Sequence, residues 1–480
     1  MKLKSAIENL KIIKVIGDLN VNIVDVKIDS NSVTSGTLFI CLSGQNHDSH
    51  NFIKQVEKYG AVAVITEKEL DTNLTQIIVK DTRLAMPIIA GNFYGHADKK
   101  LKIIGVTGTN GKTTTTHLIK NVLEKSGVKC GIIGTLGVFY DGVEEESTLT
   151  TPDPLELHRI FSNMVKQGVK VVAMEVSAHA LYLKKLEGLT FDVGIFTNLT
   201  RDHLDFFCDM NEYKRAKLSL FENLKCRYIV SNVDDEVGIE IYKNHKNVIT
   251  YGLENPADVF AIKVKERING TSFVVNLFDC VFNVKNKMMG RFNVYNLLSA
   301  LTACCLVGIS PKCAVDGVND IKSISGRLEK VYGGEYSVYV DYAHTPDGLK
   351  KVLKTLKPLS NKKLICVFGC GGNRDNGKRK EMGKISGEFA DFTVITSDNP
   401  RYEEPMDIIR QIEEGILQKN KNYVLVQDRT EGIRYALNLA KKGDVVLVAG
   451  KGSEKYQEIL GIKHFYNDKD TIIEIIEGKI

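Results

Sequence analysis

Three groups of residues have the types and spacing to do chemistry. The first is Gly105-Val106-Thr107-Gly108-Thr109-Asn110-Gly111-Lys112-Thr113-Thr114. Glycines at 105, 108 and 111 allow backbone angles closed to other residues, so several N–H groups can converge on one hollow. Lys112 then supplies a point charge for the β- and γ-phosphates of a nucleotide, and the Thr113 hydroxyl a ligand for Mg2+. The usual phosphate-loop spacing places a glycine five residues before Gly111, where this chain has Val106. An ordinary glycine-rich turn is the alternative reading of that stretch.

The second group lies after two apolar runs. Val169-Met174 leads into Glu175-Val176-Ser177-Ala178-His179, and Asp192-Phe196 leads into Thr197-Asn198-Leu199-Thr200-Arg201-Asp202-His203-Leu204-Asp205. Glu175 and His203 are candidates for the site that holds the phosphates. Next comes a helix in which Asp209 and Glu212 form a capping pair. Tyr213, Ala216, Leu220, Phe221 and Leu224 mark its buried face, and Lys217 falls inside that stripe. A lysine there either snorkels to water or reaches the site with its amine. The third group consists of four strand ends in the last third of the chain: Asp341-Tyr342-Ala343-His344, Gly369-Cys370-Gly371-Gly372-Asn373-Arg374-Asp375, Asp398-Asn399-Pro400-Arg401 and Gly450-Lys451-Gly452-Ser453-Glu454. Four polar strand ends on one sheet edge describe a binding crevice.

The elements that position these residues alternate along the chain. The phosphate loop sits between the strand opening at Leu101 and a helix whose Leu118, Ile119, Val122 and Leu123 form one stripe before Ser126-Gly127 stops it. Residues 1–99 are expected to be a small α/β unit, with strands at Val24-Lys27, Thr37-Cys41 and Ala61-Ile65 and a helix from Asn51 to Tyr59. Its polar loops Asp29-Ser30-Asn31 and Gly44-Gln45-Asn46-His47-Asp48 either bind a ligand or only turn the chain. Residues 255–290 are expected to be strands and turns. After them Gly290-Arg291-Phe292-Asn293-Val294-Tyr295-Asn296 opens the apolar helix Leu297-Val307, where Asn293 and Asn296 either cap the helix or meet a base edge. The fold class is α/β, with a doubly wound sheet in the middle.

Composition narrows the partners. The chain has 480 residues, 43% of them hydrophobic and 26% charged, with a net charge of +5, which predicts a soluble protein of several domains. Basic residues are scattered, so no nucleic-acid footprint stands out. Ten cysteines without a CxxC pair predict free thiols in a reducing compartment. No apolar run has the length of a signal peptide or a membrane span, and a cytoplasmic location is expected.

These motifs together resemble the Mur ligase family, the ATP-dependent amide-forming enzymes of peptidoglycan precursor synthesis. The matching stretches are GTNGKTTT at 108–115, MEVSAHAL at 174–181, NLTRDHLD at 198–205, YKRAK at 213–217, GRFNVYN at 290–296, SGRLE at 325–329, DYAHTPD at 341–347, FGCGGNRD at 368–375 and DNPR at 398–401. The resemblance implies three domains: 1–99 binding a UDP-N-acetylmuramoyl substrate, 100–328 with the ATP-binding phosphate loop, and a Rossmann-like 329–480 binding an amino acid. It also implies an acyl-phosphate route in a monomer, and Asp29-Ser30 with DNPR are similar to members that add meso-2,6-diaminopimelate to UDP-N-acetylmuramoyl-L-alanyl-D-glutamate.

By the same resemblance, Gly108, Thr109, Asn110, Gly111, Lys112, Thr113 and Thr114 hold the ATP phosphates, and Asn293, Asn296, Arg327 and Asp341 meet the rest of the nucleotide. Thr113, Glu175, His203 and a carbamylated Lys217 would surround Mg2+. Ser30, Thr150, Thr151, Ser177 and Lys185 would bind the sugar-nucleotide peptide, with Lys217 beside it. Arg374, Asp398, Asn399, Pro400, Arg401, Gly450 and Glu454 would bind diaminopimelate, the arginines forking onto a carboxylate and the acids accepting from ammonium. This chain departs from the family at Lys185 (usually Arg), Leu183 (Gln in some members), Asn373 (usually Asp) and Ser453 (usually His). The rival readings are a lysine-adding member, a folylpolyglutamate synthetase, which has no DNPR motif, and a nucleotide switch, which has no need of Lys217 or the crevice.

Overall fold

The computed structural model describes every residue except 45–47, 148, 224, 268–269, 320, 322 and 420–421. The middle of the Gly44–Asp48 loop and the stripe residue Leu224 therefore lie outside the described residues. The chain forms two compact units. One comprises Met1–Gly105, Gly127–Gly194 and Ser219–Arg227, the other Val106–Ser126, Ile195–Leu218 and Tyr228–Ile480.

The first unit contains a five-stranded sheet in the order Ile12–Ile16, Thr75–Val79, Ala63–Thr66, Thr37–Ile40, Asp25–Lys27. Only its first pair is antiparallel. Alternation along a strand sends Leu38 and Ile40 to one face, packed with Ala85, Met86 and Ile89 of the helix Thr82–Phe93, and Phe39 and Cys41 to the other, packed with Ile53 and Val56 of the helix Ile53–Lys58. The same unit holds Val171–Glu175, which pairs in parallel with Cys130–Gly134. That pairing delivers Glu175 to the strand's carboxyl end.

In the second unit the helix Lys112–Lys125 buries Leu118, Ile119, Val122 and Leu123, the stripe read from the sequence. Strands Val259–Arg267, Gly270–Leu277 and Cys280–Asn286 form an antiparallel meander, followed by the long helix Arg291–Leu306. A six-stranded sheet then runs in the order Glu329–Gly333, Ser337–Asp341, Val445–Ala449, Leu364–Phe368, Phe392–Ile395, Tyr423–Leu425. All but the first pair are parallel. Helices Pro346–Leu356, Gly377–Phe389 and Pro405–Ile416 cover one face, and Arg429–Leu439 and Asp468–Ile476 the other. Because four adjacent strands are parallel, their carboxyl ends, and the four polar segments that follow, share one edge.

A buried ion pair fastens that edge from behind. Arg429 donates from Nε and Nη2 to the two Asp468 carboxylate oxygens at 2.7 Å each, and to the carbonyls of Ser397 and Ala449 at 3.3 and 3.0 Å. Both side chains are fully buried, so removing one strands the other's charge. Asp468→Asn is expected to lose about 3–5 kcal/mol of stability in chemical denaturation, and a loss under about 1 kcal/mol would show that the pair is solvated.

Candidate functional site

The phosphate loop joins the strand Lys102–Thr107 to the helix Lys112–Lys125. Gly108 and Gly111 have φ of 141° and 92°, and a Cβ would fall 1.9 Å from Thr197 Oγ1 at the first and 2.5 Å from Asn296 Oδ1 at the second. Gly105 plays a different part from the one expected. It lies inside the strand, where a Cβ would meet the Phe191 ring at 2.8 Å. The turn is thus built on two glycines, and Val106 is a buried strand residue, so the departure from the usual spacing costs the loop nothing.

The segment after Phe196 holds the loop in shape. Asn198 accepts from Asn110 N at Oδ1 and from Thr109 N at its carbonyl, and donates from Nδ2 to Asn110 O. Thr197 Oγ1 donates to the same Asn110 carbonyl at 2.7 Å. Lys112 Nζ donates to Gly108 O and Thr109 O at 2.9 and 2.8 Å. Lys217 Nζ donates to Gly108 O at 2.8 Å as well, so one carbonyl receives two lysines.

Lys217 is buried on the helix Met210–Leu218, which Asp209 and Glu212 cap by accepting from Glu212 N and Cys208 N. Its ammonium lies 4.6 Å from the Tyr213 ring centroid. The snorkelling reading fails, since the amine points inward. Burial, and then the Lys112 charge, push the Lys217 amine well below the ordinary lysine range, against the pull of Asp202.

Asp202 is buried between two histidines, 3.4 Å from His203 Nε2 and 3.8 Å from His344 Nε2. Burial would raise its carboxyl, but His203, His344 and Lys378 outweigh burial and hold it well below the usual range. His344 donates from Nδ1 to Tyr342 O at 2.8 Å, because a carbonyl can only accept. Arg327 donates from Nη2 to Thr113 Oγ1 at 2.8 Å, and its guanidinium stacks 4.3 Å from the Tyr342 ring centroid. Asp341 accepts from Leu328 N and Ala343 N at 2.6 and 2.7 Å, and burial pushes its carboxyl up to about 6 against Arg327 and these two bonds. Asn293 and Asn296 are both inside the helix that Gly290 begins. Neither caps it: Asn293 donates to Met289 O at 2.7 Å and Asn296 to Asn293 Oδ1 at 3.0 Å.

The amino-acid residues also assemble. Asn399 Nδ2 donates to Glu454 Oε2 at 3.0 Å, and Asn399 N to Asp398 Oδ1 at 2.7 Å. A Cβ on Gly450 would fall 2.6 Å from Asp398 Oδ2, and one on Gly372 would fall 1.9 Å from Pro400 O. Arg401, at φ 52°, donates to Glu458 Oε2 at 3.0 Å and Gly372 O at 2.8 Å. It is therefore no solvated surface arginine. Arg374 pairs with Asp205 at 3.5 Å. Asn373 takes the left-handed region (φ 50°) that asparagine tolerates, and it accepts from Tyr402 N while donating from its backbone to Glu403.

In the first unit Glu175 is buried and accepts from Thr135 N and Oγ1 at 2.9 and 3.2 Å. Thr151 Oγ1 donates to Glu175 O, Ser177 N donates to Thr151, and Thr150 Oγ1 lies 3.1 Å from Thr135 Oγ1. Lys185 pairs with Asp153 at 2.8 Å, and Leu183 ends the helix Ala178–Tyr182. Ser30 is buried in its own short turn, which Asp29 caps. Asp202, Lys378, His344, Tyr342 and Lys451 were not singled out in the sequence. The signal for Asp202 was its place beside His203, and for Lys451 a lysine between two glycines at a strand end.

Three family models match this chain: the Mur ligase family catalytic domain over residues 22–94, the Mur ligase middle domain over 106–304 and the Mur ligase glutamate ligase domain over 326–452. The chain belongs to the Mur ligase family. It is similar to the "UDP-N-acetylmuramoyl-L-alanyl-D-glutamate--2,6-diaminopimelate ligase 1" of Clostridium acetobutylicum, 46% identical over 98% of each chain. The Clostridioides difficile ligase of the same name, without the numeral, is 43% identical over 99% of each. A solved structure of a ligase of that name is 31% identical with a TM-score of 0.70, over 100% of this chain and 99% of that one. The MurF ligase of Thermotoga maritima, solved with ADP, shares the fold at 19% identity, with a TM-score of 0.66 over 97% and 99% of the chains. The α/β fold with a phosphate-loop centre and a Rossmann-like end is that of the family, and the chain is an ATP-dependent ligase.

The depressed Lys217 amine has a measurable consequence. At any pH between the folded and the ordinary value the unfolded chain binds a proton that the folded chain has released, so this lysine opposes folding and the opposition fades as pH rises towards the ordinary lysine value. In CO2-free buffer, wild-type stability is expected to gain on that of Lys217→Met between about pH 7 and about pH 10. Parallel stability curves would mean the amine stays charged inside the fold.

Proposed function

We propose that this Mur ligase joins meso-2,6-diaminopimelate to UDP-N-acetylmuramoyl-L-alanyl-D-glutamate in the cytoplasm, acting as a monomer. The observation that carries the reading is the DNPR segment. Arg401 is held at the sheet edge by Glu458 and Gly372, beside Asp398, Asn399 and Glu454. A diaminopimelate end carries a carboxylate and an ammonium, and this edge offers an arginine fork for one and carboxylates for the other. Lysine has no second carboxylate to occupy Arg401 and Arg374. Domain boundaries near 99 and 328 would separate the sugar-nucleotide, ATP and amino-acid functions.

A glutamyl carboxylate oxygen attacks the γ-phosphorus of ATP, ADP leaves, and the acyl phosphate forms. The diaminopimelate amine attacks the acyl carbon, the tetrahedral adduct expels phosphate with its bridging oxygen, and the amine loses a proton. Lys112, with the N–H groups of residues 111–114 at the helix start, would take the phosphates, while Asn198 holds the N–H groups of Thr109 and Asn110 and so keeps the loop in shape. Arg327, Asn293, Asn296 and Asp341 border the loop as the nucleotide's remaining contacts. Ser30, Thr150, Thr151, Ser177 and Lys185 would hold the sugar-nucleotide peptide.

By resemblance Thr113, Glu175 and His203 would surround Mg2+ directly or through water, as suits a hard ion that keeps several waters beside phosphate oxygens. When bound, it would neutralise charge between carboxylate and triphosphate. Among the described residues no three His, Cys, Asp or Glu side chains form a ready-made cage. A carbamate on Lys217 would add an anionic ligand: a neutral amine attacks CO2 and releases a proton, and the buried, depressed Lys217 is the lysine suited to that reaction.

Incubation with ATP, Mg2+, the UDP-linked dipeptide and either diaminopimelate or L-lysine is expected to give tripeptide with diaminopimelate alone, with 13C from labelled bicarbonate appearing on Lys217. Efficient lysine addition would overturn the specificity. Absence of amino-acid-dependent ADP release would overturn the ligase assignment to this substrate.

A further inference from the structure

The loop Gly450–Glu454 contains a lysine to which the reading above gives no task. Lys451 is completely buried, and burying an ammonium is costly unless its protons are satisfied. Its Nζ donates to Asn399 Oδ1 at 3.0 Å and to Glu454 Oε2 at 2.9 Å, and lies 5.6 Å from the Tyr456 ring centroid. Both acceptors belong to the proposed diamino-acid pocket. The same Glu454 Oε2 accepts from Asn399 Nδ2, while Oε1 faces the Tyr342 hydroxyl at 3.4 Å. Asn399 Oδ1 also accepts from Glu458 N at 3.0 Å. Glu454 is thus held at both oxygens and Asn399 at both ends of its amide.

The charges add a second argument. Asp398 is buried, which raises its carboxyl, but Lys451 and then Arg429 more than offset this. Counted at their formal charges, Asp398, Glu454 and Lys451 sum to one negative charge. That matches a single ammonium, while Arg401 and Arg374, paired here with Glu458 and Asp205, are the cations that would turn to a carboxylate. Without Lys451 the acids would present two negative charges and favour a more cationic guest.

We propose that Lys451 is a positioning residue for diamino-acid specificity: it fixes Asn399 and Glu454 and trims the charge of the acids to the complement of one ammonium. The proposal rests on the diaminopimelate reading of this pocket. A merely structural lysine would change stability and leave substrate preference alone.

The test is steady-state ADP release by Lys451→Met and Lys451→Gln, each alone and combined with Glu454→Gln, with diaminopimelate, L-lysine and ATP varied in turn. Lys451→Met is expected to raise the KM for diaminopimelate about tenfold, the size of losing a hydrogen bond to a charged group. The diaminopimelate-to-lysine preference should fall with it, and the KM for ATP should stay within about twofold. In the Glu454→Gln background the same change should add less than about twofold, because both act on one contact. If Lys451→Met fails to fold, Lys451→Gln and the Glu454→Gln combination, which removes the stranded charge, carry the comparison. An unshifted KM for diaminopimelate, an equal rise in the KM for ATP, or full additivity with Glu454→Gln overturns the proposal. A wild-type protein that releases no ADP with diaminopimelate overturns the pocket reading and this proposal together, whereas normal wild-type turnover with unshifted variants overturns this proposal alone.

Discussion

Gly108 offers one carbonyl to two lysines. Lys112 reaches it from the first turn of the helix that follows, and Lys217 from a helix about a hundred residues further along the chain, both within hydrogen-bond distance. Two amines converging on a dipole, with an arginine bonded to Thr113 nearby, make a site short of negative charge. One amine relieves the crowding by giving up its proton more readily. The need for Gly at 108 and 111, the Asn198 bonds and the placement of Arg327 all follow from holding this arrangement while leaving backbone N–H groups for a polyphosphate.

The edge proposed for the amino acid solves the opposite problem with the same means. There the surplus is carboxylate, in Asp398, Glu454 and Glu458, and the buried cations Lys451 and Arg429 stand behind them with Arg401 among them. Parallel strands bring these side chains to one line, and the pair Arg429–Asp468 ties the strand ends at Ser397 and Ala449 to two helices. Tyr342 touches both problems, with Arg327 stacked on its ring and Glu454 at its hydroxyl. Chemistry on an acyl phosphate requires such rigidity, since a loose site admits water.

Much of this was legible in the sequence where a pattern repeats. The stripe around Lys217 put a lysine on a buried face and left open whether its amine snorkels or turns inward, and four polar strand ends announced an edge. Single residues were harder. Gly105 was read as part of the turn because spacing cannot distinguish a glycine needed for φ from one needed for room beside Phe191. For Asn293 and Asn296 spacing leaves capping and a base-edge contact open, and the helix start at Gly290 removes capping. The strand Thr75–Val79 went unread because Gln76 interrupts its apolar run, and only the fold shows that amide satisfied by the Leu70 backbone. Lys451 carries no periodic signal at all, as a loop lysine is exposed by default.

The claim that unites these features is that the glutamyl carboxylate is activated by phosphorylation before the amine arrives. Oxygen tracing tests it directly. With both oxygens of the substrate carboxylate labelled with 18O, turnover with ATP and diaminopimelate is expected to release phosphate carrying one 18O atom, read by its isotope shift in 31P NMR, while the other stays in the new amide. Amide formed alongside phosphate free of label would contradict the account.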